Sequence, residues 1–291
     1  MAFQQYREAR ISEIKALTAS SESLLLANRQ LDAIIAAIQA NRKLENFSKG
    51  DRATIENVET ALNQAVYGSY KFNHLSGHKG SVTAVNISPN LQLIATGAED
   101  QTVRIWQPDG KLLHILKHSG SVGRVMFSPD SHLLVAASLD GTVKIWRVDG
   151  TLIKSFKAHE MPVWGVAFSP NGQLIASASG DRTVKLWNLD GQLLKTFIRH
   201  QNIVLSVTFS PDSLMIDSAG ADNTIKLCSV DGSLLNTLKG HQKTVSDVKF
   251  CPGTDLLVSV SHDLTAKLWK IDGTLVKTIP TNREFFAIYF Q

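Results

Sequence analysis

The chain has 291 residues, 43% of them apolar and 19% charged, which supplies a sizeable core and excludes a disordered chain. No window holds the roughly 18 uninterrupted apolar residues of a membrane span, and residues 1–10 lack the apolar segment of a secretory signal, so a cytoplasmic location is expected. The net charge is +4 and its excess is scattered over residues 71–291 without a dense basic stripe, so nucleic acid is not an expected partner.

No glycine precedes Gly50 and no proline precedes Pro89, which places a boundary near residue 70. Residues 3–44 read as one long amphipathic helix. Ile14, Leu17, Leu24, Leu31, Ile35 and Ile38 fall on alternating three- and four-residue steps, with Ser21 and Asn28 at polar breaks. Such a stripe fits either a coiled coil that would make the protein a homo-oligomer or a helix folded onto its own domain. A second helix is expected from Asp51 or Thr54 to Tyr67, capped by Asp51 and ended by Gly68. Residues 1–70 therefore read as a helical region.

From Lys71 the chain repeats itself. Histidines stand at His78, His118, His159, His200 and His241, at steps of 40 or 41 residues. Aspartates keep the same steps at Asp100, Asp140, Asp181, Asp222 and Asp263, and a later position reads Trp106, Trp146, Trp187, Cys228 and Trp269. Periods of this size with strand-like runs point to propeller blades. The third copy shows the four runs: Val163–Phe168, Leu174–Ala178, Thr183–Asn188 and Leu193–Phe197. An Asp-Gly pair divides the last two runs in every copy, as a two-residue turn with positive φ requires. Full repeats are expected at 71–110, 111–150, 151–191, 192–232 and 233–273, with a partial sixth at 274–291.

These in-register markers resemble the WD-repeat (WD40) β-propeller family over about three quarters of the chain. The resemblance implies a mainly β fold: a propeller of five four-stranded blades plus a partial sixth, preceded by the α-helical region. It also implies a hydrogen-bonded tetrad in each blade. Two are complete in side-chain type beside the first: His78, Thr96, Asp100 and Trp106 in blade one; His159, Ser177, Asp181 and Trp187 in blade three; His241, Ser259, Asp263 and Trp269 in blade five. Blade two has His118, Asp140 and Trp146, with Ala136 where the hydroxyl belongs. Blade four has His200, Ser218 and Asp222, with Cys228 in place of the indole. Those two blades are expected to be the weaker ones. The chemistry is an indole N–H donating to the hydroxyl, the hydroxyl to imidazole, and imidazole to carboxylate. Only Gly77 and Gly240 precede the histidine as in the family, and no copy has Trp-Asp.

Enzymatic readings find little support. The Ser–His–Asp trio recurs at structural spacing, and nothing matches Gly-x-Ser-x-Gly. His74, His114, His132 and His262 lack metal-ligand spacing, and Gly77–Ser81 is no phosphate loop. No metal or cofactor is expected. Cys228 and Cys251 form no disulfide framework and suit a reducing compartment.

In the family, the narrow top face often docks proteins. The resemblance maps onto that face Ser81, Thr83, Ser121, Gly123, Pro162, Trp164, Ile203, Leu205, Thr244 and Ser246, together with Glu99, Leu139, Gly180, Ala221 and His262. Pro162, Trp164, Ile203 and Leu205 would form an apolar arc suited to protein docking, unless Trp164 tucks into the channel as packing. The expected function is a non-enzymatic protein–protein interaction scaffold. The terse blades resemble bacterial members, in which the propeller often follows an ATPase or protease. A second reading is thus a detached or truncated sensor of a signalling protein whose effector is absent from this chain. A third is an enzyme using the channel.

Seven such blades would need more residues than follow position 70. Phe285, Ile288 and Phe290 fall in register with Val245, Val248 and Phe250, and Lys71–Ser76 and Thr274–Ile279 both offer outer strands. An open or truncated propeller with exposed edges is expected; the rival is a closed five-blade ring.

Overall fold

The structure, a computed structural model, describes residues 2–26, 30–45, 52–67, 75–198, 200–251, 253–281 and 288. It divides into two units, Met1–His74 and Leu75–Gln291.

The first unit holds α1 (Ala2–Leu26), α2 (Gln30–Glu45) and α3 (Arg52–Tyr67). The single helix expected over residues 3–44 is thus two helices. They pack side by side, with the Ser21 hydroxyl donating to the Ala33 carbonyl at 2.9 Å. Small residues permit this close approach: Ala33, Ala36, Ala37 and Ala40 are all buried. Ile14, Ala40 and Val58 share one apolar cluster, and Lys43 pairs with Glu13. Ile38 lies exposed, so the heptad stripe is not one buried seam. Among its other members, Asn28 and the side chains of Leu31 and Ile35 lie outside the described residues, as do Asp51 and Gly68. No described helix is long and apolar enough to cross a membrane.

The second unit is five four-stranded antiparallel sheets, each a meander in chain order. Blade one comprises β1 (Val82–Ile87), β2 (Ile94–Ala98), β3 (Thr102–Trp106) and β4 (Leu112–Lys117). Blade two comprises β5 (Val122–Phe127), β6 (Leu133–Ser138), β7 (Thr142–Arg147) and β8 (Leu152–Lys157). Blade three comprises β9 (Val163–Phe168), β10 (Leu174–Ser179), β11 (Thr183–Asn188) and β12 (Leu193–Ile198). Blade four comprises β13 (Val204–Phe209), β14 (Met215–Gly220), β15 (Thr224–Ser229) and β16 (Leu234–Lys239). Blade five comprises β17 (Val245–Phe250), β18 (Leu256–Ser261), β19 (Thr265–Lys270) and β20 (Leu275–Pro280). Innermost strands adjoin in sequence: β1 beside β5, β5 beside β9, β9 beside β13 and β13 beside β17. The outer strand expected over 71–76 falls mostly outside the described residues, and residues 75 and 76 are not strand. Of the partial sixth repeat expected over 274–291, residues 274–281 and Ile288 are described, and β20 within it is the outer strand of blade five, paired with β19.

The core lies between sheets. Between blades four and five, Ala219, Ile225 and Leu227 meet Val245, Val248, Phe250 and Trp269. The first three come from the second and third strands of one blade. The others come largely from the first strand and the tetrad tryptophan of the next. The same pairing recurs between blades one and two, two and three, and three and four. Period-two alternation produces it, because each face of a blade meets a different neighbour.

The Asp-Gly turns are one residue longer than expected. In blade one, Gln107 N–H bonds Lys111 O while Gly110 N–H bonds Gln107 O, closing a three-residue loop. Gly110 then takes φ 92°, a left-handed conformation that ends such loops.

Candidate functional site

The tetrads form as hydrogen-bonded chains in blades one, three and five. In blade three, His159 Nδ1 lies 2.7 Å from Asp181, its Nε2 lies 2.7 Å from Ser177 Oγ, and Trp187 Nε1 donates to that hydroxyl at 2.8 Å. In blade one the corresponding distances are 3.0 Å for His78–Asp100, 2.7 Å for His78–Thr96 and 2.8 Å for Trp106–Thr96. In blade five, His241 is 2.8 Å from both Asp263 and Ser259, and Trp269 donates to Ser259 at 2.8 Å.

A fifth member joins every network. Thr102, Thr142, Thr183, Thr224 and Thr265 each donate a hydroxyl to the tetrad aspartate, at 2.6 to 2.8 Å. Its signal in the sequence is a threonine two residues after each aspartate. Burial works against ionising Asp100, but Thr102, the Lys79 amide and His78 outweigh it and hold its pKa well below the usual range. The same balance lowers Asp140, Asp181, Asp222 and Asp263. These side chains are hydrogen-bonded to one another within each blade.

The two departures behave differently. In blade four, His200 still reaches Asp222 at 3.0 Å and Ser218 at 2.9 Å. Cys228 is buried beside a small cavity that Val184, Phe197, Ile216, His200 and Ser218 also line. In blade two the relay is broken. With Ala136 in the hydroxyl position, His118 Nε2 is buried without a hydrogen-bond partner. Its Nδ1 accepts from the Ser119 amide at 3.0 Å. Burial, helped by the Lys144 charge, pushes the His118 pKa down to about 4.

The two sets of residues that the resemblance assigns to the top face meet pairwise in every blade. Glu99 N–H donates to Ser81 O, Leu139 to Ser121, Gly180 to Pro162, Ala221 to Ile203 and His262 to Thr244, at 2.8 to 3.0 Å. The inner strand also bulges at one repeated position. Pairing with the second strand skips Thr83, Gly123, Trp164, Leu205 and Ser246. A bulge leaves its extra residue out of the ladder and re-aims its side chain. Thr83 spends its hydroxyl on the Gly97 carbonyl at 3.1 Å and on Val122 O. Trp164 and Leu205 are the large apolar residues in this series, on adjoining strands, and both are half-buried. Gly165 lets those strands close up: a Cβ there would stand 3.1 Å from Leu205 O. Ile203 is exposed and Pro162 half-buried. Met161, exposed beside Pro162, extends the same surface and was not singled out by repeat position. Glu99 is exposed, while Leu139 and His262 are half-buried.

Further along the inner strands lies a charged cluster with no precedent in the repeat pattern. Arg124 of β5 stands 3.5 Å from Asp247 of β17, joining blades two and five. Asp247 is wholly buried; it also accepts from Ser206 Oγ and, at 2.8 Å, from the Ile288 amide. Burial presses the nearby Lys249 pKa down, against the pull of Asp247. Asp217 of β14 is wholly buried with neither oxygen hydrogen-bonded, and burial raises its pKa well above the usual range. Among the described residues, no group of three or more His, Cys, Asp or Glu is placed to hold a metal ion.

The family model for the WD domain, G-beta repeat, matches residues 70–107, 110–147, 150–188, 191–229 and 232–270. A WD repeat-containing protein of Synechocystis sp. is 33% identical over 113 residues, 38% of this chain and 9% of that protein. Eukaryotic translation initiation factor 3 subunit I of Aspergillus niger is 52% identical over 31 residues, 11% of this chain and 9% of its own length. Transcription initiation factor TFIID subunit 5 of Caenorhabditis elegans is 37% identical over 65 residues, 22% of this chain and 10% of its own. The matched stretch is thus about a tenth of each of these relatives.

Proposed function

The chain belongs to the WD40 repeat family, and from that premise we propose that its repeats act as a non-enzymatic docking platform for another protein, through the bulged top-face positions of blades three and four. The observation that carries this reading is the repeated bulge. It turns one residue per blade out of the ladder, and only in blades three and four is that residue large and apolar. Trp164 and Leu205, flanked by Met161, Pro162 and Ile203, make an apolar patch of the kind that anchors protein interfaces. The names of two relatives, a translation initiation factor subunit and a TFIID subunit, place those proteins in larger assemblies and support a protein as the partner class.

The test is Trp164→Ala. Partner recovered by the immobilised wild-type chain should fall at least about tenfold, as for loss of a buried interface aromatic, while the melting temperature stays nearly unchanged. Undiminished recovery would remove the docking role. A large fall in melting temperature would show that Trp164 is packing.

A further inference from the structure

We propose that blade four carries a binding site for a phosphate-class oxyanion, in the cleft between its two outer strands and the loop that leads into blade five. The site uses none of the residues of the docking face, so the two readings stand or fall separately.

Every blade has a cation at one position of its third strand: Arg104, Lys144, Lys185, Lys226 and Lys267. In four blades that cation is engaged. Arg104 lies 5.9 Å from the Trp106 ring centroid and 3.9 Å from Asp100. Lys185 lies 5.8 Å from the Trp187 ring and donates to Ala158 O at 2.8 Å. Lys144 donates to Lys117 O at 3.2 Å, and Lys267 to Thr278 Oγ1 at 2.9 Å. Blade four offers Lys226 no indole, because position 228 is cysteine, and its ammonium has only a 3.4 Å bond to Thr237 Oγ1.

A second lysine joins it. Thr224 stands opposite Lys239, and Lys226 opposite Thr237. Residues opposite each other, and residues two apart on a strand, share a face. Strands β15 and β16 thus present two lysines and two threonines together. Blade two repeats the arrangement with Thr142, Lys157, Lys144 and Ser155. There both ammonium groups fold onto carbonyls, Lys157 donating to Asp140 O at 2.8 Å. Gly141 makes that contact possible, since a Cβ there would stand 2.9 Å from Lys157 Nζ. Its counterpart in blade four is Asn223, whose side chain donates to Gln242 O at 3.3 Å. Lys239 therefore stays exposed, and its ammonium has no acceptor among the described residues.

Both lysines line an open cleft of about 480 Å³, together with Thr237 and Gln201. Asp222 is also in its wall, but its oxygens are turned inward. They meet His200 Nδ1 at 3.0 Å and accept from the Gln201 amide and from the amide and hydroxyl of Thr224, leaving the side chain 8% exposed. The donors left to the cleft are two ammonium groups, the Thr237 hydroxyl and the Gln201 carboxamide. Lysine binds phosphate as a point charge with several spare protons. Two such charges beside one satisfied carboxylate select an anion of charge two or more, either free or as a phosphoryl group on another molecule's side chain.

The experiment is isothermal titration of the full chain with pyrophosphate and, separately, with a phosphoserine peptide and its unphosphorylated form, at an ionic strength fixed with chloride. The variants are Lys226→Gln and Lys239→Gln, with Lys144→Gln of blade two as control. Lys239 is exposed and makes no side-chain bond, so its variant should fold even if Lys226→Gln does not. The expected result is saturable binding of a phosphorylated ligand, weakened at least about tenfold by either blade-four substitution, as for loss of a charge-assisted hydrogen bond, and unchanged in the control. Uptake of pyrophosphate alone would assign the site to a free ion; uptake of the phosphopeptide as well would assign it to a phosphoryl group carried by a partner. Three outcomes overturn the proposal: no saturable binding of any phosphorylated ligand, binding undiminished by Lys239→Gln, or an equal loss in Lys144→Gln, which would show attraction to positive charge in general.

Discussion

Asp217 departs furthest from its equivalents in the other blades. The register places it opposite Leu227, as Ala95, Val135, Ala176 and Val258 stand opposite Ile105, Ile145, Leu186 and Leu268. Four apolar side chains thus mark a site facing the next blade, and the fifth is a carboxylate with no hydrogen bond. An unsatisfied buried polar group costs about 1–3 kcal/mol. Asp217→Val, which copies blades two and five, should therefore raise the urea midpoint by a similar stability at neutral pH. An unchanged or lower midpoint would mean that Asp217 has a compensating partner. The oddity is visible when the five copies are superimposed, but its burial, its want of a hydrogen bond and the Lys249 charge near it are not. Polar markers of the repeat, such as His159 and Asp181, draw the eye because they recur; a singular residue carries no such signal.

At the scale of the single blade, blades two and three form a natural comparison. They share strand lengths and turns, yet blade three has Ser177 where blade two has Ala136. Ala136→Ser should give His118 Nε2 its missing partner and stabilise the protein by about 1 kcal/mol. Ser177→Ala should cost at least as much. A calorimetric melt of both variants checks the pair, and a destabilising Ala136→Ser would mean that the blade cannot admit the hydroxyl. The His118 pKa, down at about 4, sets a further expectation. Below its ordinary value near 6.5 the unfolded chain takes up a proton that the folded chain refuses. Stability is therefore full above that value and falls as pH drops toward 4. Between pH 6.5 and 5 the loss from this residue is on the order of 2 kcal/mol. His118→Asn should flatten that part of the pH profile, leaving the same-sign contributions of His159 and His241, whose pKa values burial also lowers. An equally steep profile in the variant would contradict it.

Strand content was legible at this scale because alternation and turn residues are local: β9 and β11 lie where the third repeat predicts them. The turns were less so, since Asp-Gly serves both two- and three-residue loops. The helical hairpin is not legible in the heptad stripe, because three- and four-residue steps that run on through Ser21 and Asn28 cannot show where a chain doubles back. Contact between Ser21 and Ala33 decides that, and it is tertiary. On the candidate docking face the residues were legible through the resemblance. The bulge that gives Trp164 and Leu205 their setting appears only in the strand register.

Across the whole set of repeats, neighbour packing was written in the period, whereas the pair Arg124–Asp247 was not. It joins positions three blades apart, and no recurrent spacing announces it. Arrays of repeats that touch only adjacent copies behave almost as one-dimensional systems, able to melt from an end, unit by unit. A bridge between blades two and five changes that connectivity. It ties the opening of blade five to that of blade two, so the two blades between them should open together with both. Arg124→Ala should therefore broaden the unfolding transition, with calorimetric enthalpy exceeding the van't Hoff value more than in the wild type. A transition that merely shifts, with its sharpness intact, would mean that packing between adjacent blades alone sustains the cooperativity.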